Sequence, residues 1–207
     1  MTVEIIECEQ NSPEWLAARL GIPTASMFSA ILSKGEGKTR RSYLLKLAGE
    51  VLTGEPTESY TNEYMERGHV MEAEAREFYS FMKDEDPVRV GFVRNGAKGC
   101  SPDSLIGASG LLEIKTKRSD LLIDVMLKDK FPAEHVAQCQ GALWVTEREW
   151  IDLACYWPKL PLFVKRAYRD DAYIANLAFE VERFNEELAA TVGCIKRYGD
   201  PALTRAA

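Results

Sequence analysis

The sequence is poor in the residues that mark several functional classes. Two histidines occur in 207 residues, and the five cysteines (Cys8, Cys100, Cys139, Cys155 and Cys194) include no C-x-x-C pair. A zinc or thiolate–imidazole site needs such ligands at close spacing, so neither is expected. The cysteines read instead as reduced thiols packed like small hydrophobes. No apolar run approaches the roughly 20 residues of a membrane span. The opening residues, MTVEIIECEQ, lack a basic stretch ahead of an apolar one. No signal peptide or membrane association is therefore expected, and a cytoplasmic location is. Nothing repeats at a fixed period, and no low-complexity linker divides the chain. Positive charge is also in deficit, with a net charge of −6. That argues against coating nucleic acid over the whole surface, although a local basic cluster can still bind it.

What is present is an ordinary globular composition, 46% hydrophobic and 28% charged, enough for one domain spanning residues 1–207. Any metal should be a hard cation held by oxygen, which suits Mg²⁺ or Mn²⁺. Basic residues cluster in KGEGKTRR (34–41) and KLPLFVKRAYR (159–169). Ser12 and Pro13 are a helix N-cap and first-turn pair, opening a helix that ends near Leu20 and Gly21. Thr24, Ala25 and Ser26 start another running to Leu32. KGEGKTRR reads as a mobile loop, followed by a helix over 42–52. The segment 63–83 carries Tyr64, Met71, Ala75, Phe78 and Met82 at helical spacing, with Glu72 and Glu74 beside or opposite that stripe. Alternation predicts a strand over 88–94. A helix over 132–145, strands over 151–157 and 162–168, and an amphipathic helix through Ile174, Leu177, Val181, Phe184, Leu188 and Val192 follow. The order suggests a mixed sheet covered by helices, an α/β architecture.

Residues 100–117, CSPDSLIGASGLLEIKTK, read as a hairpin with three charges in its arms. Glu113 and Lys115 lie two apart on a strand and project to one face, while Leu112 and Ile114 face the other way. Asp103, on the neighbouring arm, lies beside Glu113 in the right register. Two close carboxylates repel unless a cation separates them. A divalent ion would do so, would acidify a bound water, and would offset charge on a phosphoryl oxygen. Lys115 would orient or deprotonate the attacking water, or stabilise the charge of a pentacovalent phosphorane. The Ile114 carbonyl is a further oxygen ligand. The plain alternative is a solvated hairpin face with a Glu–Lys pair. The apolar strand around these charges weighs against it.

Pro102-Asp103 with Glu113-Ile114-Lys115 resembles the signature of the PD-(D/E)xK nuclease superfamily. RLGIPTAS (19–26), CSPDSLIGASGLLEIK and AQCQGALWVT (137–146) are more specific. In order and spacing over residues 14–157 they resemble the phage lambda exonuclease-like, YqaJ-type viral recombinase family. The resemblance implies a restriction-endonuclease-like α/β fold, a central mixed β-sheet flanked by helices. It also implies a 5′→3′ exonuclease that digests one strand of linear duplex DNA and leaves a 3′ strand for recombination. Members use Mg²⁺, two ions per active site with Mn²⁺ able to substitute. The implied assembly is a homotrimeric ring threaded by DNA, working with a phage single-strand annealing protein inside a bacterial host, encoded by a phage or prophage.

Residue by residue, Asp103 and Glu113 match the metal-binding acids and Lys115 the catalytic lysine. Glu72, in RGHVMEAEARE, matches a helical glutamate near the second metal, with Glu74 as the fallback. Arg19 matches the arginine that grips the terminal 5′-phosphate, and Ser26 and Ser101 the serines that assist it. Thr24 to Ser26, at a helix start, would add further donors to that anion. Gln138 matches the glutamine of the helix lining the active site. Lys38, Arg40 and Arg41 would belong to an arch on the DNA backbone. Met65 falls where an apolar wedge between separating strands would sit, or in the core. In the strand before the PD motif the family has an acid after an arginine; here that position is Arg94-Asn95, where either Asn95 substitutes as a neutral ligand or the alignment slips. His69 and His135 are read as DNA-facing or structural rather than as metal ligands. Two other readings compete: an endonuclease of the same superfamily, and a catalytically inactive scaffold.

Overall fold

The computed structural model describes residues 2–33, 38–57 and 63–198, with backbone alone over 63–69. Two sheets organise the chain. The smaller has the order β1-β3-β4, formed by β1 (Val3–Ile6), β3 (Phe92–Asn95) and β4 (Gly99–Cys100), all antiparallel. The larger has the order β2-β5-β6-β7-β8. Its strands are β2 (Pro87–Val88), β5 (Ser104–Ile106), β6 (Gly110–Thr116), β7 (Trp150–Tyr156) and β8 (Phe163–Tyr168). Only β6 and β7 run parallel, so the sheet is mixed. The chain crosses between them through α5 (Ser119–Lys128) and α6 (Val136–Thr146). The fold is the helix-flanked mixed sheet expected from the sequence.

Parallel pairing requires both faces of β6 and β7 to be covered. On one face Leu111, Ile151, Leu153 and Cys155 pack with Phe28 and Ile31 of α2 (Phe28–Leu32), Leu143 of α6, and Leu177 and Phe184 of α7 (Asp171–Lys196). On the other, Leu112, Ile114, Ala154 and Tyr156 pack with Met71, Ala75 and Tyr79 of α4 (Glu63–Lys83). Gly141 brings α6 close to α2, since a Cβ there would lie 2.4 Å from the Phe28 ring and 3.3 Å from Ala25. A buried carboxylate, Asp152, ties the α4 face together. Tyr79 Oη donates to Asp152 Oδ2 at 2.8 Å, and Arg166 donates to both Asp152 oxygens at 2.8 Å while stacking 3.5 Å from the Trp150 ring centre. Among the described residues no helix is long and apolar enough to cross a membrane.

Several expectations need correction. α3 spans Lys38–Thr53, so Lys38, Arg40 and Arg41 lie on a helix rather than in a loop. The first turn is held by tertiary contact: Arg40 donates to both oxygens of Glu187 on α7, at 2.6 and 3.0 Å. Lys34 and the two glycines of KGEGKTRR lie outside the described residues. The stripe on α4 turns by one row. Met71, Ala75 and Tyr79 are buried, whereas Phe78 and Met82 are about half exposed. Both rows fit a 3.6-residue period, and the Tyr79–Asp152 bond selects between them. Tyr64 lies where no side chain is described. The strand predicted over 88–94 is split between two sheets. The break falls at Gly91, where a Cβ would sit 2.3 Å from the Cys8 carbonyl oxygen and the incoming N-terminal segment leaves no room for a side chain. β1 and α5 had no counterpart in the sequence reading; α5 buries only Leu122 and exposes Leu121, Ile123 and Leu127.

Asp152→Ala should lower stability by about 1–3 kcal/mol, because it leaves the buried Tyr79 hydroxyl without its acceptor, whereas water can reach the exposed Arg166. Guanidinium denaturation of wild type and variant measures this.

Candidate active site

β6 carries Leu111, Glu113 and Lys115 toward α6, and this alternation puts two charges into a covered face. Glu113 is 4% exposed, so it needs partners there. Lys115 Nζ lies 2.7 Å from its Oε1, and Gln138 Nε2 donates to the same oxygen at 2.5 Å. Asp103 sits just before β5 and reaches across the hairpin, where its Oδ2 accepts the Ile114 N–H at 2.5 Å. Arg148 steadies the far end of the hairpin, donating through Nη1 to the carbonyls of Ile106, Gly107 and Gly110.

Asp103, Glu113, Lys115 and Gln138 line a cleft of about 250 Å³ together with Arg19, Thr24, Ser26 and Ser101. Arg19 closes α1 (Pro13–Ala18), whose N-cap Ser12 accepts the Trp15 N–H. The Arg19 guanidinium lies over the Trp15 ring, 4.0 Å from its centre. The Trp15 indole N–H donates to Ser101 Oγ at 2.8 Å. Thr24 and Ser26 Oγ atoms are 3.3 Å apart at the 3-10 turn Ala25–Met27 that leads into α2. An arginine stacked on an aromatic face, in a cleft also lined by three hydroxyl side chains, has the chemistry to take an anion. It shares one cleft with the two carboxylates and the lysine.

The electrostatics are unbalanced. Burial raises the Asp103 carboxyl well above its ordinary value, and the charges of Glu113 and Glu72 raise it further, against the Ile114 hydrogen bond and Lys115. For Lys115, burial alone would lower the pKa, but Glu113 and Asp103 together hold it above the usual lysine value, so it is charged at neutral pH. Glu72 is half-buried and is not part of the cleft lining, although Asp103 feels its charge. Glu74 is turned away to accept from Tyr156 Oη at 2.9 Å. Among the described residues no three His, Cys, Asp or Glu side chains form a metal cage. Two carboxylates with excess negative charge nevertheless fit a hard cation that keeps much of its water, as Mg²⁺ does.

Other predicted residues lie elsewhere. Arg40 is held by Glu187. Lys38 and Arg41 are exposed on the first turn of α3. Met65 and His69 lie on α4 outside the described side chains. Asn95 is buried away from the cleft, its Nδ2 donating to the Val145 carbonyl and to Glu147 Oε1, so it does not serve as a neutral ligand there. The sequence reading passed over Trp15, although its i, i+4 spacing to Arg19 on a helix could have suggested a stacked pair. It also missed Gln10, whose Nε2 bridges the Val90 and Pro102 carbonyls and so steadies the approach to Asp103.

Glu113 and Lys115 on one strand, with Asp103 reaching across from the neighbouring arm and an arginine in the same cleft, have the layout of a PD-(D/E)xK-type nuclease. Residues 14–149 match the YqaJ-like viral recombinase domain, and the chain belongs to that family. No curated protein matches it. Among solved structures it is similar to an alkaline exonuclease from Laribacter hongkongensis, with 34% identity and a TM-score of 0.83 over 90% of this chain and 97% of that one. The same enzyme in complex with dAMP matches at 35% identity and a TM-score of 0.83, with the same coverage. A phage-related exonuclease from Haemophilus somnus 129PT shares the fold at 14% identity and a TM-score of 0.65, over 84% of this chain and 96% of that one. Family membership supports a nuclease role in recombination.

His135, three residues ahead of Gln138, offers a check on the electrostatics around the lysines. Its Nε2 is buried without a hydrogen-bond partner among the described residues. Burial first, then Lys117 and Lys115, push its pKa down to about 4, with Glu134 opposing. The unfolded chain binds this proton near pH 6.5. The neutral imidazole's contribution is therefore complete above that pH and is lost as pH falls through about 4. His135→Gln should lose less stability than wild type between pH 7.5 and 4.5, as read by guanidinium denaturation at about those two values.

Proposed function

We propose that the protein is a metal-dependent 5′→3′ exonuclease that digests one strand of linear duplex DNA, leaving a 3′ strand for recombination by single-strand annealing. The observation that carries this reading is the shared cleft: an arginine-based anion grip opens directly onto Asp103, Glu113 and Lys115. A site that must hold a terminal phosphate while cleaving the next bond needs both at once. The dAMP bound by the Laribacter exonuclease supports a deoxynucleotide as the occupant.

Asp103, Glu113 and the Ile114 carbonyl would hold Mg²⁺ or Mn²⁺, with Glu72 near a second ion. The chemistry so supplied is offset of phosphoryl charge and acidification of a water. Arg19, kept flat by Trp15, would take the 5′-phosphate in a bidentate grip, with Ser101, Thr24 and Ser26 as further donors. Gln138 fixes the rotamer of Glu113. Lys115, being charged, suits stabilisation of the extra negative charge in the transition state better than proton abstraction. The family resemblance extends the proposal to a homotrimeric ring around 5′-phosphorylated duplex, a phage annealing protein as partner, and action in the bacterial cytoplasm. Net charge −6 is compatible with a ring whose positive charge is confined to its channel.

In Mg²⁺ the protein should shorten 5′-phosphorylated linear duplex from its 5′ ends and leave covalently closed circles intact. Lys115→Ala should reduce the rate about 100-fold or more. Arg19→Ala should abolish the preference for a 5′-phosphate over a 5′-hydroxyl. Gel assays with end-labelled substrates measure all three. Cleavage of closed circles would favour the endonuclease reading, and an unimpaired Lys115→Ala would remove the mechanism.

A further inference from the structure

Arg76 lies on α4 one helical turn beyond Glu72, on the same side of the helix. Its Nε donates to Ser104 Oγ at 3.0 Å, and its Nη2 reaches the Asp103 carbonyl oxygen at 3.4 Å. Ser104 is wholly buried, and its hydroxyl donates to that same carbonyl at 2.6 Å. The Asp103 main chain is thus held from α4 by a planar two-point contact and a hydroxyl relay. None of these bonds uses the Asp103 carboxylate, which faces the cleft and crosses to the Ile114 N–H. A guanidinium this close to acidic groups would ordinarily pair with a carboxylate. Here it grips the backbone beside one and leaves the carboxylate oxygens for another partner.

The consequence is geometric. Rotation of the peptide between Asp103 and Ser104 would swing the carboxylate off Ile114, and the grip prevents that rotation. Because Glu72 and Arg76 share one rigid helix, the same contact sets α4 against the hairpin. We propose that Arg76 is a positioning residue, acting with Ser104 to hold the Asp103 carboxylate, and α4 with its Glu72, in the arrangement that binds a divalent cation. This rests on the reading of Asp103 and Glu113 as metal ligands.

The test is calorimetric titration of Mn²⁺ into DNA-free wild type, Arg76→Gln, Arg76→Lys and Ser104→Ala, with melting curves recorded without metal. Residues that orient metal ligands typically change affinity by about 10- to 100-fold when replaced. Arg76→Gln should weaken Mn²⁺ binding within that range, and Ser104→Ala by less in the same direction. Arg76→Lys keeps the charge but lacks the planar fork, so it should stay near Arg76→Gln. Melting losses with wild-type Mn²⁺ affinity would overturn the proposal, and so would full recovery in Arg76→Lys. If Arg76→Gln does not fold, Ser104→Ala decides, and unchanged affinity there overturns it. Absence of Mn²⁺ binding by wild type would overturn the metal reading itself and this inference with it.

Discussion

A carboxylate in the middle of a covered strand has to be given partners, and much of this architecture follows from supplying them to Glu113. Its strand is paired on both sides, by β5 and β7, so water cannot solvate it from the sheet edges. Lys115, two residues on, reaches it along the same face, and Gln138 reaches it from α6. For Gln138 to arrive there, α6 must cross back over the sheet, which the parallel β6–β7 connection brings about. The cleft is then the space left where that helix, the hairpin and the segment around Arg19 meet.

Asp152 and Asp103 show what separates a carboxylate whose charge is met within the chain from one whose charge is not. Asp152 receives the Tyr79 hydroxyl and two guanidinium bonds from Arg166, and it lies on the closed α4 face. Its demand is met from within the chain. Asp103 receives a backbone N–H and faces two like charges, so burial and repulsion together keep its proton affinity high. An ion pair that is complete holds the sheet to its neighbours. An acid left short of positive charge beside a second acid is one that a cation from solution would stabilise.

The parts of this molecule that were legible in its sequence are those with a period or a dense local motif. The C-terminal helix buries every residue named from its amphipathic spacing, Ile174 through Val192. The hairpin and its charges were readable because a two-residue alternation fixes which side chains share a face. What was not legible depends on distant partners. The start of α3 is held by Glu187, more than a hundred residues away, and sequence composition marks that stretch as a loop. The choice between Phe78 and Tyr79 on α4 turns on a bond to Asp152. The interruption after β2 depends on Cys8 passing over Gly91. Asn95 stands where the resemblance puts an acid, and its partners at the end of α6 could be known only from the fold.

Gly141 has no chemical group to offer, yet it touches the layout of the whole cleft. Gln138, on the same helix, belongs to the acidic half, while Ala25 lies between Thr24 and Ser26, whose hydroxyls belong to the half that holds Arg19. The missing side chain at 141 is what lets those halves approach, since even a methyl group would strike Phe28 and crowd Ala25. The span between the arginine side of the cleft and its acids is in effect a ruler, and its graduation is set by an absent carbon. Position 141 should therefore be intolerant of change, for a reason of length rather than charge.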